Sequence, residues 1–134
     1  MRLEFAFFAD AADVRPDGIM YVLGGGIEHV KGKSYPAAIA GIVFIVRLRA
    51  EPSECGDHHL SARVFRPSGE PWTPEIALNF NVPPNKIHPD RGNVSTICLR
   101  YLNFLFPEPG EYTFRLYVDG NEVGYVNFDA IIEG

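Results

Sequence analysis

Hydrophobic and polar positions alternate with a period of two along most of this chain, the pattern of half-buried β-strands. It is clearest near the C-terminus. Tyr112, Phe114, Leu116 and Val118 share one face there, and Thr113, Arg115 and Tyr117 the other. On the return run Val126, Phe128 and Ala130 alternate with Tyr125, Asn127 and Asp129. An Asp119-Gly120 pair between the runs marks a hairpin turn. Parity then selects a loop length. A two-residue Asp119-Gly120 loop would set Phe114 opposite Tyr125 and carry Val126 and Phe128 to the wrong face. A three-residue loop, Asp119 to Asn121, pairs Phe114 with Val126 and Tyr112 with Phe128, which restores one apolar face. The three-residue loop is therefore expected, with Arg115 opposite Tyr125 and Tyr117 opposite Val123 on the second face.

The same alternation predicts a strand over residues 3–9. After the Arg15-Pro16-Asp17-Gly18 turn it predicts a strand over 19–30, interrupted by Gly24-Gly25-Gly26. Residues 39–48 are apolar on both faces until Arg47 and read as a central strand. Residues 59–65, 76–82 and 94–106 follow, with a turn at Pro67-Ser68-Gly69-Glu70. With the hairpin this makes about eight or nine strands, expected to form an all-β, antiparallel two-sheet sandwich. No composition break marks a linker, so residues 1–134 are expected to form a single domain.

Composition narrows the partners. A chain of 134 residues can bury roughly two-thirds of its unfolded surface without disulfides or metal. A net charge of −5, with Arg47 and Arg49 as the only tight basic pair on a strand, excludes nucleic acid as the expected partner. The longest apolar run, 38–46, is about half of the ~20 residues a membrane helix needs. The N-terminal residues alternate like a strand and lack the features of a secretory signal. With two cysteines, Cys55 and Cys98, the expectation is a cytoplasmic protein with reduced thiols, a Cys55–Cys98 bridge being the alternative.

Several constellations have the composition of a chemical site without its spacing. Gly24-Gly25-Gly26 with Gly32-Lys33-Ser34 resembles a phosphate-binding loop, but the required first glycine would fall at Ile27. A β-bulge or a close backbone approach accounts better for the triple glycine. Cys55-x-x-His58-His59 offers zinc-type ligands, with Cys98, His29 and His88 at a distance, yet on a strand His58 and His59 point to opposite faces. Asp10, Asp13 and Asp17 lack calcium-loop spacing and read as turn and capping carboxylates. No serine stands in a Gly-x-Ser-x-Gly elbow. The expectation is therefore no catalytic residue, no metal and no cofactor.

Trp72, between Pro71 and Thr73-Pro74, does not read as a central-strand residue. It either seals a core edge or presents its ring to a partner. Together with Arg115, Tyr117, Val123 and Tyr125 it forms the candidate interface. The preferred reading is a non-catalytic protein-interaction or assembly module that binds a protein partner, including a second copy of itself. The alternative is a small-ligand-binding or metal-dependent hydrolytic domain using His29, Cys55, His58 or His59.

Pro109-Gly110-Glu111-Tyr112-x-Phe114 is similar to the Gly-x-Tyr segment of immunoglobulin-like sandwiches, where the tyrosine hydroxyl bonds back to upstream backbone. The tryptophan and inter-sheet cysteine pair of those domains are missing, so the likeness is architectural. A longer series spans nearly the whole chain: Glu4-Phe5-Ala6, Phe8-Ala9-Asp10-Ala11, Asp17-Gly18, Val22-Leu23-Gly24-Gly25-Gly26, Val82-Pro83-Pro84, the Pro109 segment and Val118-Asp119-Gly120. In this order it resembles a family of small uncharacterised bacterial β-sandwich proteins, a domain of unknown function. The resemblance implies a bacterial cytoplasmic protein and assigns no catalytic residue.

Overall fold

The chain's computed structural model describes residues 1–133. Nine strands carry them: β1 (Arg2–Val14), β2 (Met20–Ile27), β3 (His29–Gly32), β4 (Ala37–Ala50), β5 (Gly56–Phe65), β6 (Pro71–Val82), β7 (Asn93–Phe106), β8 (Gly110–Val118) and β9 (Asn121–Ile132). One 3-10 turn, Pro52–Glu54, precedes β5, and no α-helix occurs among the described residues. Sheet A has the order β2-β1-β4-β7 and sheet B the order β3-β9-β8-β5-β6. The all-β, two-sheet architecture expected from the sequence is observed, with strand alternation setting which side chains meet between the sheets.

Between the sheets the alternating apolar positions of β4 (Phe44, Val46, Leu48) face those of β5 (Leu60, Ala62, Val64) and β8 (Tyr112, Phe114, Leu116), all buried. Aromatic rings dominate this core. Phe8 stacks on Phe44 at 4.3 Å and meets Phe114 and Phe128 edge to face at 4.8 and 5.1 Å. Burial of each such ring stabilises the fold by about 1.5–3 kcal/mol. The corner before β8 is tied by Tyr112, whose hydroxyl donates to the Glu108 carbonyl at 2.7 Å and accepts the Glu108 N–H at 3.2 Å. This is the bond back to upstream backbone that the Gly-x-Tyr segment predicts.

The β8–β9 hairpin corrects one expectation and keeps another. Its loop is the two-residue Asp119-Gly120, with φ of 50° and 84°, the left-handed conformations of a type I′ turn. Phe114 nevertheless pairs with Val126 and Tyr112 with Phe128. Parity is restored inside β9 by a bulge: Leu116 pairs with Gly124 and Tyr117 with Glu122, leaving Val123 as the extra residue. Tyr117 therefore does not face Val123, which packs against the core instead. At Gly124 a Cβ would lie 2.5 Å from Leu3 Cδ2, so the bulge also makes room for β1.

A second bulge sits at the triple glycine, as the sequence suggests. Phe8 pairs with Ile27 and Ala9 with Gly25, so Gly26, at φ 91°, is the extra residue. The chain bends there and leaves sheet A, and the segment expected to continue the strand becomes β3, which joins sheet B parallel to β9. This is the one parallel pair among the described strands.

β1 runs further than its alternation predicts. It pairs with β4 only as far as Ala9 opposite Val43, then continues with β2 alone to Val14 opposite Met20. This two-stranded ribbon folds across the outer face of sheet A. Ala12 and Met20 pack on Ala9, Val43 and Ile45, and Arg100 Nη2 donates to the Ala12 carbonyl at 2.9 Å. The ribbon explains why β4 is apolar on both faces.

Candidate functional site

The outer face of sheet B gathers part of the predicted interface. The Arg115 guanidinium lies 5.5 Å from the centre of the Tyr125 ring and 5.6 Å from that of Phe65, and Nη1 donates to Glu122 Oε1 at 2.7 Å. That hydrogen bond holds the Arg115 pKa above its ordinary value. Arg63 lies over Tyr117 at 5.0 Å and pairs with Glu75 at 3.0 Å. Arg115, Tyr117 and Tyr125 are thus brought together, but each cation is already matched within the chain. Tyr125, 58% exposed, stands open to solvent as a large apolar group on this face.

Val123 and Trp72 lie elsewhere. Val123 points into the sandwich. Trp72 pairs with Val64 on edge strand β6 and is partly buried against the core. Its indole N–H donates to the Leu105 carbonyl on β7 at 2.9 Å, bridging the two sheets, and Arg66 lies 5.1 Å from its ring centre. Of the two positions expected for it, sealing a core edge or presenting its ring to a partner, this is the first.

The histidine and cysteine candidates do not converge. His58 and His59 are on opposite faces of β5, as the strand period requires. His58 Nδ1 meets Asp119 Oδ2 at 2.6 Å and Nε2 meets the Glu54 carbonyl oxygen, while His59 Nδ1 meets Asn79 Oδ1 at 2.9 Å. With both ring nitrogens committed to acceptors, His58 has no lone pair to offer a metal. Its pKa is raised, first by the bond to Asp119 and then by the Glu54 carbonyl. Cys55 donates its thiol to the Glu51 carbonyl at 3.7 Å, and Cys98 lies on β7 of the other sheet. Both are free thiols. His29 is on β3, with β9 and β8 between it and β5, a span of roughly 14 Å at ordinary strand spacing. Among the described residues no three His, Cys, Asp or Glu side chains are grouped to hold a metal ion.

A second exposed apolar surface lies on sheet A. Its edge strand β2 belongs to a run without charge or proline from Ile19 to Ile27. Leu23 is 71% and Tyr21 60% exposed. Tyr21, Val22 and Leu23 wall a shallow apolar depression floored by Ala11 and Ala12. These two alanines also floor an adjoining depression beside Gly41 and Leu102, the latter 75% exposed. The other sheet edges carry ordinary protection. β3 is four residues long and includes Lys31, β6 carries Pro71, Pro74 and Glu75, and β7 is bridged by Trp72. Tyr21, Val22, Leu23 and Leu102 were not among the sequence candidates. For the three β2 residues the available signal is the uncharged run of residues 19–27, whose alternation predicts a strand without showing that its edge is open.

No helix among the described residues is long and apolar enough to cross a membrane. No curated protein matches the chain. The Asp119-Gly120 turn and the glycine bulge of β2 fall within residues 4–131, which match the model of a family of unknown function (DUF6941), and the chain belongs to that family.

Proposed function

We propose that this protein is a non-catalytic protein-interaction module that self-associates by strand addition, a second copy laying its β2 antiparallel to the open β2 edge. The observation that carries this is the unprotected edge: a run of uncharged residues with exposed Tyr21 and Leu23, where the other edges bear lysine, proline or a covering side chain. Unpaired backbone N–H and C=O groups on such an edge are a template for another strand, and apolar side chains flanking it add burial.

A second copy fits better than an unrelated strand because β2 complements itself. In a two-fold antiparallel pair centred on Leu23, Tyr21 falls opposite Gly25 of the second copy and Val22 opposite Gly24. Tyr21 then meets a position without a side chain, while Val22 meets Gly24, against which the Asp10 carboxylate lies. The setting proposed with this assembly is the cytoplasm, with Cys55 and Cys98 reduced.

Sedimentation velocity of the wild type, Leu23→Lys and Tyr125→Ala tests the reading. A wild-type dimer retained in Tyr125→Ala and reduced to a folded monomer in Leu23→Lys is the expected result. A wild type that stays monomeric at high concentration, or a Leu23→Lys dimer, overturns it. Loss of the dimer in Tyr125→Ala alone would move the interface to sheet B.

A further inference from the structure

The turn from Arg15 to Ile19 overhangs one end of sheet A and closes a cleft of about 520 Å³ against the strands beneath. That volume lies in the range of small-molecule sites. Its base is a cross-strand pair. Arg47 on β4 lies directly opposite Thr96 on β7, so the two side chains stand together on the outer face. On its other flank Arg47 is in register with Phe5, with 5.8 Å from guanidinium carbon to ring centre. The Arg47 side chain is only 29% exposed.

Charge here runs against the rest of the chain, whose net charge is −5. Glu4 is 3.0 Å from Arg47 Nε, but it also holds Arg49 at 2.7 Å and Arg2 at 3.9 Å, so one carboxylate is shared among three guanidinium groups. The Arg47 Nε atom is buried and makes no aligned hydrogen bond despite that proximity. Arg15, from the overhanging turn, also lines the cleft and is paired with Asp17. The charged lining is therefore two cations and one anion, an excess suited to a ligand with a single negative charge.

We propose that this cleft binds a small organic carboxylate, its oxygens taken by the Arg47 guanidinium and the Thr96 hydroxyl and its apolar body by Val14, Pro83 and Val94. The planar fork of arginine matches a carboxylate, and one excess positive charge favours a monoanion over a phosphate dianion. The site shares no lining residue with the Leu23 depression, and titrating the Leu23→Lys variant keeps its test apart from the oligomeric state.

Acetate and inorganic phosphate, titrated separately at fixed ionic strength against chloride and followed by amide NMR shifts, provide the experiment. Acetate is expected to give saturable shifts at Gly18, Ser95 and Thr96, and to bind more tightly than phosphate. Thr96→Val, which keeps the shape and the cation, is expected to weaken acetate roughly tenfold. Arg47→Gln is expected to abolish the shifts. Shifts that chloride alone reproduces, shifts that never saturate, or unchanged affinity in Thr96→Val would overturn the site. Tighter binding of phosphate would overturn the carboxylate assignment.

Discussion

The Asp119 carboxylate holds two successive residues of β5 at once: Oδ2 meets His58 Nδ1 at 2.6 Å, and Oδ1 accepts the His59 N–H at 2.9 Å. The hairpin turn that the sequence marks most strongly is thereby anchored to the start of another strand. Because His58 Nε2 faces the Glu54 carbonyl and Nδ1 the Asp119 carboxylate, both ring nitrogens meet acceptors, which favours the protonated ring and raises its pKa.

This pair gives stability a pH dependence of defined sign. The folded pKa of His58 is raised above 6.5, so its contribution is complete below that value and is lost as pH rises through the folded pKa. Asp119 is held below 3.8, chiefly by the same hydrogen bond, so its contribution is present above that value and is lost as pH falls through the depressed pKa. The pair therefore contributes fully between about pH 4 and 6.5. Asp119→Asn keeps a residue suited to the left-handed turn but removes the charge. Thermal unfolding from pH 5 to pH 9 is expected to show a decline in the wild type that is shallower in Asp119→Asn. Equal slopes would contradict the pairing.

Two buried tyrosines answer the same substitution with opposite signs. Tyr112 bonds to Glu108 through both its proton and its oxygen, whereas the Tyr101 hydroxyl is buried without a partner among the described residues. Burial alone pushes the Tyr101 pKa up. Tyr112→Phe is expected to destabilise by about 1 kcal/mol and Tyr101→Phe to stabilise by about 1 kcal/mol. Urea unfolding of both variants checks this, and a matching sign would contradict it.

Gly92 is held by backbone rather than by side chains. A Cβ there would lie 1.6 Å from the Ala50 carbonyl oxygen and 2.7 Å from its carbon, atoms that no rotamer change can move. Gly92→Ala is expected to cost about 3 kcal/mol. At Gly41 the nearest atom would be Leu102 Cδ2 at 3.8 Å. Gly41→Ala, in an open strand position, is expected to be neutral or to stabilise by ~0.5 kcal/mol. Urea midpoints of the two variants should therefore move far apart, and similar midpoints would refute the close approach.

Strand existence and facing were legible because burial imposes a period of two, which is why Phe114 opposite Val126 could be read from parity. The turn was not legible from parity, because a bulge at Val123 shifts the count inside β9 while Asp119-Gly120 keeps its preferred two-residue geometry. The crossing of β2 into β3 and the folding of the β1–β2 ribbon over Val43 and Ile45 depend on contacts far apart in sequence, which local alternation does not encode. The interface residues suffered the same way. Arg115, Tyr117 and Tyr125 were grouped correctly by face, but their internal partners Glu122 and Arg63 became visible only in three dimensions. Leu23 was hidden because an apolar alternating residue looks the same on an open edge as in a buried strand.

Hydrogen exchange of the β2 amides at high and low protein concentration tests the proposed assembly most directly. Strand addition predicts that amides of residues 20–25 are protected at high concentration and lose protection on dilution, while those of β4 stay protected throughout. Identical exchange of the β2 amides at both concentrations would contradict it.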